Sequence, residues 1–191
     1  TALSDSDLDV ERWELGKRVG KFDAHAQYYQ INGGWSAGLR DGWVRRWTYG
    51  ATYQQSDFAP VPYEPLGGPL PADRKFVYPW VGFELVQDSF QERVNQDQIR
   101  RTEDVLVGFN GWVRLGLAPE SFGSATDVVL ASAYASDGAD LSPTQSLFGS
   151  AWVSGRYEHG EVRNGILGGE VRYYLQTSAR SKFFADLSGT V

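Results

Sequence analysis

The sequence predicts an all-β protein, an antiparallel up-and-down meander that forms a transmembrane β-barrel or part of one. Three observations support this prediction: long period-two alternation, one alternate face free of charge, and turn signals at frequent intervals. The clearest stretch is residues 102–118, TEDVLVGFNGWVRLGLA, in which every second residue from Val105 to Leu117 is uncharged. An amphipathic helix is excluded, because its apolar residues recur every three to four positions. A tilted strand that crosses a bilayer needs roughly nine to eleven residues, which this stretch exceeds.

The composition of the 191-residue chain narrows the function classes. A net charge of -6 and a pI near 4.9 argue against nucleic-acid binding, which needs a basic face. The absence of cysteine excludes disulfide frameworks and thiolate metal sites. No apolar run approaches the roughly 18 residues of a transmembrane helix. The chain starts at Thr1 without a methionine or a signal segment, so we expect processing or truncation before it.

The first half of the chain contains a lead-in, several strands and one long loop. Residues 1–10 are polar and acidic and are predicted to be a flexible lead-in, and the β-barrel domain is predicted over residues 11–191. Turns are predicted at Asn32-Gly33-Gly34 and at Asp41-Gly42, since these residue types tolerate a positive φ. Residues 58–74 hold most of the eight prolines and a Gly-Gly pair, which predicts a long loop. The predicted strands of this half are 11–19, 21–31, 35–39 and 43–55.

The second half alternates more regularly. Residues 88–101 are polar and are predicted to be a loop or the water-exposed part of a hairpin, and residues 136–145 are predicted to be a loop. The predicted strands are 75–87, 102–118, 127–135, 147–157, 165–175 and 183–191. The total of roughly ten lies within the range of about 8–12 strands that we expect for such a barrel. Because the last strand runs to Val191 without the usual terminal aromatic residue, the barrel is predicted to be incomplete at this end.

Four charged residues are the candidate lumen-lining set, since alternation places them opposite the uncharged residues. They are Glu84, Arg114, Glu170 and Arg172. Salt bridges that stabilise the barrel interior are the expected role, and lining a pore or polar track is the alternative. We expect no catalytic residue, no cofactor-binding residue and no metal ligand.

The two histidines and the loop carboxylates are the residues to consider for catalysis or metal binding. His25 shares the polar side of a strand with Asp23, as a membrane hydrolase would require, but no serine nucleophile motif accompanies it. An ordinary hydrogen-bonded histidine is therefore the favoured interpretation of His25, and a solvated turn residue that of His159. The two histidines form no zinc spacing. Asp137 and Asp140 lack the regular spacing of a calcium loop.

Three stretches resemble a known family. They are GLRDGWVRRW at residues 38–47, YPWVGFE at 78–84 and NQDQIRRTED at 95–104. They resemble barrel domains of the bacterial surface antigen family, within the superfamily of outer-membrane assembly and two-partner-secretion transporters, over about residues 33–191. The resemblance implies a non-enzymatic barrel of the bacterial outer membrane that acts in protein or lipid insertion or translocation. Its implied partners are outer-membrane lipids and possibly an exported polypeptide. The chain shows no POTRA domain and no Arg-Gly-Tyr/Phe lid-loop motif, so no functional residue is carried over.

Two alternative functions remain open from the sequence. One is an outer-membrane lipid hydrolase that uses His25. The other is a soluble β-barrel that binds a small apolar ligand, in which the side bearing Val105, Phe109 and Val113 points inward around a cavity. No cofactor is expected for any of the three functions.

Overall fold

The computed structural model describes residues 1–94, 101–178 and 181–191. Within these ranges the chain is all-β, with one short 3-10 turn at Glu120–Phe122. No helix in the described part is long and apolar enough to cross a membrane. The strands are β1 (Ala2–Glu14), β2 (Lys17–Arg40), β3 (Trp43–Pro60), β4 (Arg74–Gln87), β5 (Phe90–Val94), β6 (Thr102–Leu106), β7 (Asn110–Ala118), β8 (Val128–Ser142), β9 (Gln145–Glu158), β10 (Glu161–Ser178) and β11 (Ser181–Thr190).

Nine of these strands form one antiparallel sheet in the order β1-β2-β3-β4-β7-β8-β9-β10-β11, while β5 and β6 pair separately as a hairpin. The order follows the chain, so the predicted all-β up-and-down meander is confirmed. Over the described residues the sheet is open, with β1 and β11 as its edge strands. Closure into a barrel therefore stays a prediction.

The contacts divide the chain into two units. Unit 1 comprises Thr1–Gly33, Tyr49–Trp80 and Gly116–Val128, and unit 2 comprises Gly34–Thr48, Val81–Leu115 and Val129–Val191. The buried side chains of unit 1 include Phe22, Phe76, Trp80 and Val128. Within this core the Trp80 indole donates a 3.1 Å hydrogen bond to the buried hydroxyl of Thr52.

The proline-rich loop of unit 1 is shorter than predicted. β3 continues to Pro60 and β4 begins at Arg74, so the loop spans residues 61–73. It packs against the first residues of β2, where the Lys21 amide donates to the Pro65 carbonyl over 2.9 Å. Arg12 donates to the Leu66 and Pro69 carbonyls over 3.1 and 2.9 Å. Proline has no N–H group, so this loop cannot join a sheet ladder. The three hydrogen bonds give its carbonyl groups donors outside a ladder.

The prediction of a flexible lead-in over residues 1–10 is wrong, because these residues form most of β1. β1 pairs with β2 from Ala2 opposite Gln30 to Glu14 opposite Lys17. The acidic residues of this segment find cationic partners across the strand pair, with Asp9 2.8 Å from the Lys21 ammonium. The polar composition of residues 1–10 predicted disorder. In the structure, the neighbouring strand β2 supplies both backbone and side-chain partners for this segment.

Two glycine-containing segments were wrongly predicted to interrupt strands. Residues 32–34 lie inside β2, and most of residues 136–145 lies inside β8. At Gly33 the Tyr49 ring stands where a side chain would be, and at Gly138 the Phe148 ring does the same. These glycines allow an aromatic ring to approach the backbone. The predicted hairpin turn at Asp41-Gly42 is confirmed, with φ values of 53° and 77°.

The long strand predicted at residues 102–118 is divided in two. The Gln87 amide donates to the Phe109 carbonyl and the Val107 amide to the Ser89 carbonyl, each over 2.8 Å. These bonds separate β6, which joins the β5 hairpin, from β7, which joins the large sheet. Only the β7 half of the predicted apolar face thus belongs to the nine-stranded sheet.

Candidate functional site

Unit 2 presents an exposed, uncharged side of its sheet, which we call the apolar face. The strand register places Val153 opposite Leu167, and Val171 opposite both Gly149 and Leu187. Val113 and Leu167 are 52% and 56% exposed. The large apolar side chains exposed on this face are Val113, Leu115, Val129, Leu147, Val153, Leu167, Val171, Phe183 and Leu187.

A groove of about 830 Å³ runs along the apolar face. Its lining includes the small residues Ala131, Ala133 and Gly165, larger apolar residues of β7 and β10, and two arginines, Arg114 and Arg156. Since Leu115 and Leu167 are each more than half exposed, the groove is open to the surroundings. The alternative of a soluble ligand-binding barrel requires this side to enclose a cavity, and the observed exposure does not favour it.

The other side of the same strands carries the four candidate lumen-lining residues, and we call it the polar face. The Arg46 guanidinium lies 2.9 Å from the Glu84 carboxylate. Arg172 and Glu170 lie 3.7 Å apart on β10. These pairs are partly exposed, so each contributes only about 0–1 kcal/mol to stability.

Arg114 has a different contact on the polar face. Its guanidinium lies 5.9 Å from the Trp112 ring centroid, within cation–π range. Trp112 in turn stacks on Tyr134 at 6.4 Å. Arg114 and Trp112 of β7 and Tyr134 of β8 thus form a continuous row of cation and aromatic contacts.

The β5–β6 hairpin packs on the polar face through Arg93. This guanidinium donates to the Ser146 hydroxyl over 2.5 Å and to the Asp140 carboxylate over 2.6 Å. It also lies 5.5 Å from the Phe148 ring centroid, and Phe148 meets Tyr174 edge-on at 5.7 Å. The Arg93 side chain is 13% exposed. We call Arg93, Asp140, Ser146, Phe148 and Tyr174 the Arg93 cluster.

The residues of this cluster lower the pKa of the Asp140 carboxyl group. Burial has the largest single influence and favours the protonated form. Hydrogen bonds from Ser146 and Arg93, together with the Arg93 charge, outweigh burial and hold the pKa of Asp140 below its usual value. The cluster therefore favours the ionised form of Asp140.

A polar cavity of about 490 Å³ lies between β6 and the polar face. Carboxylates of Glu103, Asp104 and Asp137 and the guanidinium of Arg172 contribute to its lining. Aromatic side chains, including Phe148 and Tyr174, complete the lining, so the cavity combines charged and aromatic surfaces.

His25, the residue on which the hydrolase alternative depends, lies in unit 1 among carboxylates of β1. Its Nδ1 is 2.7 Å from Asp7, and its Nε2 is 3.5 Å from Asp5. The hydrogen bond with Asp7 is the main reason why the pKa of His25 is raised. Both ring nitrogens thus face carboxylates, whereas a catalytic base needs one of them toward a hydroxyl nucleophile.

Two further ionisable groups beside His25 influence each other. The hydrogen bond from Lys21 lowers the pKa of Asp9, and the nearby Asp9 raises the pKa of Asp23, which lies directly opposite it. All of these side chains are in contact with water. Over residues 1–94, 101–178 and 181–191, no group of three His, Cys, Asp or Glu side chains is arranged to hold a metal ion.

Sequence reasoning missed the Arg93 cluster. Asp140 was considered as a calcium ligand, but it pairs with Arg93, which lies 47 residues earlier in the chain. Within the sequence, the signal for this cluster is weak: Gln91 and Arg93 are two residues apart in a polar segment, so they share one side of a strand. No protein-family model and no characterised protein sequence matches the chain. The resemblance to surface antigen barrels stays a prediction, and part of its third stretch lies outside the described residues.

Proposed function

We propose that this chain forms part of the wall of a β-barrel in the bacterial outer membrane. In this proposal it is not an enzyme, and it acts in the insertion or translocation of protein or lipid. In this proposal the apolar face contacts outer-membrane lipids, and the polar face lines the lumen, where an exported polypeptide is the candidate cargo. The observation that carries the proposal is the exposed, uncharged face of unit 2, backed by a face with charged residues on the same strands.

The exposed apolar side chains are costly in water. Burying a valine or leucine side chain is worth roughly 1.5–3 kcal/mol, and soluble monomers rarely expose large contiguous apolar patches. The hydrocarbon core of a bilayer removes this cost. β9 and β10, with 14 and 18 residues, are long enough to cross it.

The backbone of the sheet adds a second argument. An unpaired strand edge is unfavourable in hydrocarbon, because its N–H and C=O groups find no water. The outer edges of β1 and β11 therefore need strand partners in a membrane, and closure into a barrel supplies them. The charged parts of β1 and β2 are placed in water, since carboxylates are strongly disfavoured in lipid.

The proposal is tested by the location and gel mobility of the natively expressed chain. We expect it in the detergent-extracted outer-membrane fraction, with a band that shifts when the sample is heated. A water-soluble monomer that needs no detergent would contradict the proposal. As a matched pair, Ala151→Arg on the apolar face should abolish recovery from the membrane, whereas Ser150→Arg on the polar face should not.

A further inference from the structure

We propose that the β5–β6 hairpin closes the polar face over β8–β10, and that Arg93 holds it there. This inference rests on the proposed function, since closing the polar face matters only if that face lines a passage. It concerns the described residues Phe90–Val94 and Thr102–Leu106.

Arg93 gives the hairpin a polar attachment to the large sheet. Arg93 donates to Ser146, Asp140 and Gln91, and Ser146 also donates to Asp140 over 3.0 Å. The guanidinium thus joins β5 to both β8 and β9. The Phe148 ring covers it from one side.

The apolar residues of β5 contribute little to this attachment. Phe90 and Val94 are each 56% exposed, whereas the Arg93 side chain is 13% exposed. A two-stranded hairpin is only marginally stable by itself. In addition, Glu92 lies directly opposite Asp104, and like charges at such positions weaken the strand pair. The position of the hairpin therefore depends on the Arg93 cluster.

The space beneath the hairpin is already polar. Asp104 of β6 and Arg172 of β10 both line the 490 Å³ cavity, so the hairpin covers charged groups of the polar face. When the hairpin moves away, the hydrogen bonds of Arg93 with Asp140 and Ser146 are exchanged for hydrogen bonds with water. The geometry is that of a reversible closure.

The test is the conductance of the full chain reconstituted in planar lipid bilayers. We expect Arg93→Ala and Asp140→Asn each to raise the mean conductance or the open fraction at least several-fold. Arg163→Ala is the matched control, because Arg163 forms an exposed ion pair with Glu161 beside the β9–β10 turn. We expect its conductance to equal that of the parent chain.

A distance measurement separates the two parts of the inference. Spin labels at Glu92→Cys and Val153→Cys should give one narrow distance in the parent chain and a broad distribution after Arg93→Ala. A narrow distance in the variant would overturn the role of Arg93. A broad distance with unchanged conductance would overturn the closure.

The outcomes also distinguish this inference from the proposed function. A parent chain that never enters bilayers contradicts the proposed function itself. A parent chain that inserts, with Asp140→Asn also inserting at parental conductance, contradicts only the closure. Asp140→Asn retains the size of the side chain and the Ser146 contact, so it keeps the test decisive if Arg93→Ala does not fold.

Discussion

The β1–β2 pair of unit 1 and the β9–β10 pair of unit 2 have the same backbone pattern and opposite surface chemistry. On one side of β1–β2, Asp7 lies opposite His25 and Asp9 opposite Asp23. On one side of β9–β10, Val153 lies opposite Leu167. Continuous antiparallel pairing makes both segments strands, and their side chains alternate between two sides. The alternate residues on that side are charged in β1–β2 and apolar in β9–β10, and in the proposed function the first side contacts water and the second contacts lipid.

The largest predicted effect comes from placing a charge on the apolar face. We expect Ala151→Arg to destabilise the inserted state by about 2–4 kcal/mol if this residue lies near the bilayer midplane. Insertion into lipid vesicles, followed by the heat-dependent gel shift, measures the effect. Ser150→Arg is the control, because Ser150 lies opposite Glu170 on the polar face and its new charge gains a partner. Equal loss in both variants would contradict the assignment of the two faces.

An intermediate effect is expected where an aromatic ring lies against a glycine. A Cβ atom at Gly168 would overlap the Trp152 ring directly opposite it. We expect Gly168→Val to lower the free energy of unfolding by about 1–3 kcal/mol, measured by denaturant titration in detergent. Gly149→Ala is the matched change on β9, since its Cβ meets no atom within 4 Å. Similar destabilisation by both changes would show that backbone effects, rather than the ring contact, dominate.

The smallest predicted effect is the pH dependence of the β1–β2 pair. The pKa of His25 is raised from 6.5 in the folded chain, mainly by its hydrogen bond with Asp7. Protonated His25 therefore stabilises the pair fully below pH 6.5, and this contribution is lost as the pH rises through the folded-state pKa. Amide hydrogen exchange in β1, corrected for the intrinsic pH dependence of exchange, should show protection falling over that interval. The His25→Gln chain should lack the change, and an unaltered profile in the parent chain would refute the coupling.

The contrast between the regions also shows what the sequence could predict. β9 and β10 could be predicted because one side of each strand is consistently uncharged and the other consistently more polar. Their turn at His159-Gly160 has the positive φ values that these residues favour. β1 was missed because its alternate residues are mostly aspartate and serine, a composition that by itself predicts disorder. The next strand supplies its backbone partners along its whole length, and Lys21 and His25 as partners of its carboxylates.

The remaining errors arise from contacts between distant residues. The division of residues 102–118 coincides with hydrogen bonds to Gln87 and Ser89, in which the Gln87 amide donates and the Ser89 carbonyl accepts, and no pattern within that stretch reveals them. The candidate residues Glu84, Glu170 and Arg172 lie in ion pairs, and their lumen-lining role stays a prediction. By contrast, the Arg93 cluster combines strands that are far apart in sequence, so only the folded structure brings its residues together.

The most direct test of the central claim is a cysteine scan along β9. The chain has no native cysteine, so each position from 149 to 154 can be replaced and spin-labelled singly. In proteoliposomes, we predict that labels at 149, 151 and 153 are reached by oxygen dissolved in lipid, and labels at 150, 152 and 154 by a water-soluble relaxation agent. Accessibility that does not alternate, or that favours the water-soluble agent throughout, would contradict a lipid-facing sheet.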